Sequence, residues 1–138
     1  MKVCFKYVNK FSTPKETMVV KEFVKFIQTQ LPLNSDVHIS FLPERSIKMT
    51  TGVRLPHGEI FVLAGDRLLI DVLRTLGHEW VHEFQHQKMG LKDTEKIQNI
   101  GGPEENMCNI LSGIFIKKFE KQFPNYSNIL YGEDKKYN

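Results

Sequence analysis

The chain is poor in the features that mark secreted and membrane proteins. Its two cysteines, Cys4 and Cys108, lie far apart and form no CxxC pair, so a disulfide framework is not expected. The segment MKVCFKYVNKF carries a lysine at position 2 but no apolar run of signal-peptide length. No stretch approaches the roughly 18 apolar residues of a membrane span. Free thiols in a reducing compartment, the cytoplasm, are therefore the expectation. Charge of one sign is lacking too: 19 Lys and Arg face 16 Asp and Glu, a net of +3. The densest basic cluster, Lys117, Lys118 and Lys121, is interrupted by Phe119 and Glu120. That pattern suits a solvated helix face, and neither a nucleic-acid nor a membrane partner is expected.

What is present describes one globular domain over 1–138. The chain is 41% hydrophobic and 25% charged, and 138 residues suffice to bury a core. Residues 2–8 alternate apolar and polar and predict a first strand. Thr13-Pro14-Lys15-Glu16 has the composition of a capping box with proline at the first helical position. The helix it opens carries Val19, Val20, Phe23, Phe26, Ile27 and Leu31 at core spacing, and Pro32 helps to end it. Strands follow at 37–42, 48–55 and 59–64, the last two joined as a hairpin through Pro56-His57-Gly58. From 66 to 88 the period is helical. Leu69, Leu73, Leu76, Trp80, Val81 and Phe84 share one sector, while Asp71, Thr75, His78, His82, Gln85 and His86 lie opposite. Met89-Gly90 ends this helix. A last helix spans 103–123, and 124–138 reads as a polar C-terminal tail.

The chemistry concentrates in His78-Glu79-Trp80-Val81-His82, an HExxH match. Four helical residues rise about 6 Å and turn about 40°, so the two imidazoles stand one above the other. Both can then reach one zinc ion, while Glu79, one position round, flanks the metal as a general base. A catalytic zinc needs a third protein ligand and one open position. Pro103-Glu104-Glu105-Asn106-Met107-Cys108-Asn109 offers it: Glu105 and Asn109 are i and i+4, one to bind zinc and one to hydrogen-bond a ligand histidine. Glu104 is the rival ligand, but that frame would put Cys108 in the orienting position. His86, about 80° round from His78, is a second rival that a continuous helix brings poorly onto the same ion. Cys108 is read as a buried small residue, although a thiolate there would also bind zinc.

HExxH followed some twenty residues later by Glu-x-x-x-Asp or Glu-x-x-Ala-Asn resembles the gluzincin side of the zinc metallopeptidases. The resemblance covers about residues 37–120 and rests on HEWVH and EENMCN. Among gluzincins, the chain is similar to the minimal members: the ImmA/IrrE-like proteases and the stand-alone peptidases of phage and mobile elements. The resemblance gives His78 and His82 the histidine-ligand positions, Glu79 the base position, Glu105 the glutamate-ligand position and Asn109 the supporting one. Cys108 departs from the family's alanine. The implied fold is α+β, a small zincin-like domain. Its sheet is short and mostly antiparallel, with an N-terminal helix, an HExxH helix and a C-terminal glutamate-bearing helix.

The expected activity is hydrolysis of peptide bonds with one zinc per chain. Glu79 takes a proton from the attacking water and returns it to the departing amine. The substrate would lie extended along the 59–64 or 48–55 strand. His57, Tyr126 and Tyr131 are candidates for stabilising the oxyanion by chemistry alone. Two alternatives stand beside this reading: a zinc-stabilised binding or scaffold module that does no chemistry, and a regulatory protease specific to one partner.

Overall fold

The structure, a computed structural model, describes residues 1–44, 50–90 and 102–132. Strand β1 is Val3–Lys6, shorter than the expected 2–8 because Tyr7 turns out of the strand with φ of 66° and opens the helical turn α1, Val8–Phe11. Helix α2, Pro14–Gln30, starts on the capping box. The Thr13 hydroxyl accepts the Glu16 N–H at 3.1 Å, and the Glu16 carboxylate accepts the Thr13 N–H at 2.9 Å. Two of the helix's first donors are thereby satisfied. Its apolar stripe, Val19, Val20, Phe23, Phe26 and Ile27, is buried.

Strands β2 (Val37–Leu42), β3 (Gly52–Leu55) and β4 (Glu59–Leu63) complete a four-stranded sheet in the order β1-β2-β4-β3. The expected hairpin of β3 with β4 is present. The expectation of a mostly antiparallel sheet is not met: β1 pairs with β2, and β2 with β4, in parallel. The cause is connectivity. Helix α2 is the crossover between β1 and β2, and a crossover of that length returns the chain in the same direction. Beyond β2 the chain lays β3 at the edge and places β4 in the gap, so β4 is interior. The expected third strand, 48–55, is shorter in the structure: Thr50 and Thr51 lie outside β3, and 48–49 fall in the segment 45–49 outside the described residues, as do the 91–101 connection and 133–138.

Helix α3, Leu69–Lys88, lies across β3 and β4 and packs against α2 and against α4, Pro103–Gln122. Its apolar sector is core, with Leu73, Leu76, Trp80 and Val81 fully buried. The Trp80 indole N–H donates to the Leu31 carbonyl at 2.9 Å, tying α3 to the end of α2. Phe119 of α4 meets Phe23 of α2 edge-on at 5.1 Å, closing the core between the three helices. After α4 the chain does not trail away at 124. A 3-10 turn at Pro124–Tyr126 leads to α5, Ser127–Leu130, where Ile129 and Leu130 are buried. Those two apolar side chains, spaced as a pair, anchor what its polar neighbours suggested was tail. The class is α+β.

Candidate metal centre

The middle of the polar sector of α3 does not face solvent, although the Asp71 side chain at its start is 41% exposed. Thr75, Glu79, His82, Glu83 and Gln85 are all buried. They look toward α4 on one side and the β3 edge on the other, and this three-sided enclosure is the site. The rings of His78 and His82 meet edge to face with centroids 4.9 Å apart, as their i, i+4 spacing allows. Glu105, in the first turn of α4, sets its carboxylate across both rings: Oε1 is 2.6 Å from His78 Nε2, and Oε2 is 3.0 Å from His82 Nε2. Glu104 contributes its main-chain carbonyl, which accepts the Gln85 side-chain N–H at 2.9 Å. Of the two glutamates, Glu105 is therefore the one brought to the histidines.

Glu79 lies beside them. Its carboxylate accepts the main-chain N–H of Arg54 in β3, while its Oε1 is buried with no hydrogen-bond partner. Burial above all, and the Glu105 carboxylate next, push its pKa up to about 8, against the opposing pull of Arg54. Burial likewise holds the His82 imidazole below its ordinary value, with Glu105 working in the opposite direction. Glu105 Oε2, though close to His82, receives no aligned hydrogen bond. Two imidazole nitrogens and a carboxylate thus converge on one point. Two of the carboxylate oxygens there are buried without a donor, and the Glu105 carboxylate adds to the cost of ionising Glu79. A divalent cation bound by His78, His82 and Glu105 would relieve both penalties, and the donor set suits zinc.

Cys108 is fully buried, one turn beyond Glu105. Its sulfur and the histidine nitrogens lie within 4.8 Å of one another. Burial first, then Glu105 and Glu79, push the thiol well above the usual range, which keeps it protonated. Asn109 lines the cleft but is exposed and, among the described residues, hydrogen-bonds neither imidazole. The contact expected of it belongs to Gln85, whose Oε1 is 3.2 Å from His82 Nδ1. Gln85 follows His82 by three positions on the polar sector, which was the available signal.

The centre opens into a cleft of about 510 Å³. Thr51, Gly52 and Val53 form one wall, and Asn109, Ser112 and Gly113 the other, with Arg74 at the rim. None of the three expected oxyanion candidates is there. Tyr126 stacks on Phe123 at 5.2 Å within the aromatic end of the core. Tyr131 donates to Glu120. His57, at φ of 66° in the β3–β4 turn, lines a separate hollow with His86 and Glu83. The side chains with donors that do border the cleft, besides the histidines, are Thr50, Thr51, Arg74, Thr75, Asn109 and Ser112. His86 lines that separate hollow and not the cleft of the centre.

Gly52 and Arg54 also escaped notice in the sequence. A Cβ at Gly52 would sit 2.5 Å from Thr75 Cγ2 and 3.2 Å from Glu79 Cγ, so only glycine allows β3 this close to α3. Among the described residues no helix is long and apolar enough to cross a membrane. No protein-family model, curated protein or solved structure gives a match to this chain, and the site stands on its own geometry.

Proposed function

We propose that the chain is a zinc-dependent peptide hydrolase of the zincin-like kind. The observation that carries this reading is the convergence of His78, His82 and Glu105 beside a buried Glu79 with one unpartnered oxygen. His78, His82 and Glu105 would hold a zinc ion, which when bound would supply a Lewis acid and lower the pKa of water from about 15.7 to about 7. Glu79 would accept the proton of the attacking water and deliver it to the leaving amine, a role supported by its oxygen without a hydrogen-bond partner. An extended peptide would add along β3, which among the described strands is the sheet edge bordering the cleft. Strand β4, the other candidate, is interior and has no edge to offer.

The test is metal content and hydrolysis together. The purified chain is expected to hold about one zinc. Glu79→Gln should keep the metal and lower peptide hydrolysis roughly 100- to 10,000-fold. Glu105→Ala should release the metal. A wild-type chain that takes up no zinc, or full activity in Glu79→Gln, sinks the reading. A protease confined to one partner gives the same metal results but no turnover of generic peptides, and the Glu79→Gln chain would then retain that partner.

The position of Cys108 favours one second reading, a zinc-stabilised module closed by four protein ligands. The open cleft and the buried, ligand-free Glu79 oxygen argue against it. Cobalt substitution separates the two. A thiolate-to-cobalt charge-transfer band that disappears in Cys108→Ala would mark the closed site, and its absence from the wild type the open one.

A further inference from the structure

One side chain at the centre has more contacts than a filler needs. Gln85 is fully buried between α3 and α4. Its Nε2 donates to the Glu104 carbonyl at 2.9 Å, its Oε1 lies 3.2 Å from His82 Nδ1, and its amide also hydrogen-bonds the Cys108 thiol. The orientation of that amide is fixed by chemistry. A carbonyl only accepts, so the NH2 end must face Glu104, and the oxygen end must face His82. An amide oxygen also only accepts. Nδ1 of His82 therefore carries a hydrogen; Nε2 faces a second acceptor, the Glu105 carboxylate, and in the neutral ring keeps its lone pair for a cation between the two.

We propose that Gln85 is the positioning residue of this centre: it sets His82 in the Nδ1–H tautomer and ties the first turn of α4 to α3, so that Nε2 and the Glu105 carboxylate meet at one point. The assignment rests on the metal-centre reading for its purpose, though not for its geometry. The two halves of the amide have separable jobs. The oxygen acts on His82 alone, and the nitrogen holds the residue immediately before Glu105. Gln85→Glu keeps an acceptor for Nδ1–H and gives up the donor to Glu104. Gln85→Met keeps the volume and gives up both.

Nitrogen chemical shifts of the histidine rings, recorded on the full metal-free chain above the pH of imidazole titration, report the tautomer directly. Wild type and Gln85→Glu should show His82 as Nδ1–H, and Gln85→Met should lose that preference. Zinc affinity, measured by chelator competition, should fall roughly 10- to 100-fold in Gln85→Met, and less in Gln85→Glu. An Nε2–H ring in the wild type overturns the assignment without any variant, as does a Gln85→Met chain with unchanged tautomer and zinc affinity. If the wild type binds no zinc, the hydrolase reading fails, and the ring shifts still decide the role of Gln85.

Discussion

At the scale of single residues, Glu79 carries two demands that oppose one another. A general base must be ionised at working pH, yet this carboxyl is buried beside a second acid, which drives its pKa up to about 8. The conflict has a consequence in the metal-free protein. An unfolded glutamate ionises near 4.5, whereas the folded one holds its proton to about 8. Between those values the unfolded chain has released a proton that the folded chain retains, so rising pH favours unfolding. The stability contributed by neutral Glu79 is complete below about pH 4.5, is lost progressively, and is gone above about pH 8. The loss is on the order of 4 kcal/mol. Urea titrations of the metal-free chain at about pH 5 and about pH 8 should show it, and Glu79→Gln should remove most of the difference. Equal pH dependence in the two proteins would mean that Glu79 is not held neutral.

At the scale of elements, the site depends on how β3 is held against α3. Arg54 of β3 and Glu83 of α3 form a buried ion pair with Nε to Oε1 of 2.7 Å, each side chain 4% exposed. Glu83 also accepts the Gln87 side-chain N–H at 2.6 Å, and Gln87 in turn accepts the main-chain N–H groups of Asn34 and Ser35. Glu83 stands one helical turn from Glu79, and the main-chain N–H of Arg54 is the group that Glu79 accepts. One strand residue therefore grips two successive carboxylates of the same helix. Breaking a buried pair strands a charge, and Glu83→Ala should cost about 3–5 kcal/mol in denaturant unfolding. Replacing both partners with apolar residues, Arg54→Met with Glu83→Leu, should recover most of that loss. A cost below about 1 kcal/mol for Glu83→Ala would class the pair with exposed surface bridges.

Over the whole molecule, the helices and the sheet edge are drawn together around a cluster of acids and imidazoles that repel or desolvate one another without a cation. Binding a metal to the folded state alone stabilises that state by mass action. At a free zinc concentration about 100-fold above Kd the gain is about 2.7 kcal/mol, which for a domain of this size raises Tm by roughly 10 °C. Melting curves with zinc and with a chelator should differ accordingly. Coincident curves would show that the folded chain has no preferential site for zinc.

The elements whose logic is local were legible in the sequence. The capping box at Thr13 and Glu16, the stripe of α2, the β3–β4 hairpin and the HEWVH spacing each follow from residues a few positions apart, because helix and turn geometry fixes what neighbours along the chain can reach. Glu105 was preferred over Glu104 for its spacing to Asn109, yet among the described residues Asn109 hydrogen-bonds neither imidazole, so the reason for Glu105 shows only where its carboxylate meets the two rings. The parallel pairing of β1, β2 and β4, the burial of Ile129 and Leu130, and the roles of Gln85, Gly52 and Arg54 were not legible as such. The sequence by itself determined a helix with two imidazoles on one face and a carboxylate beside them. Only the tertiary structure decided what stands opposite that face, because contacts between elements far apart in the chain depend on strand order and helix packing, which no local spacing encodes.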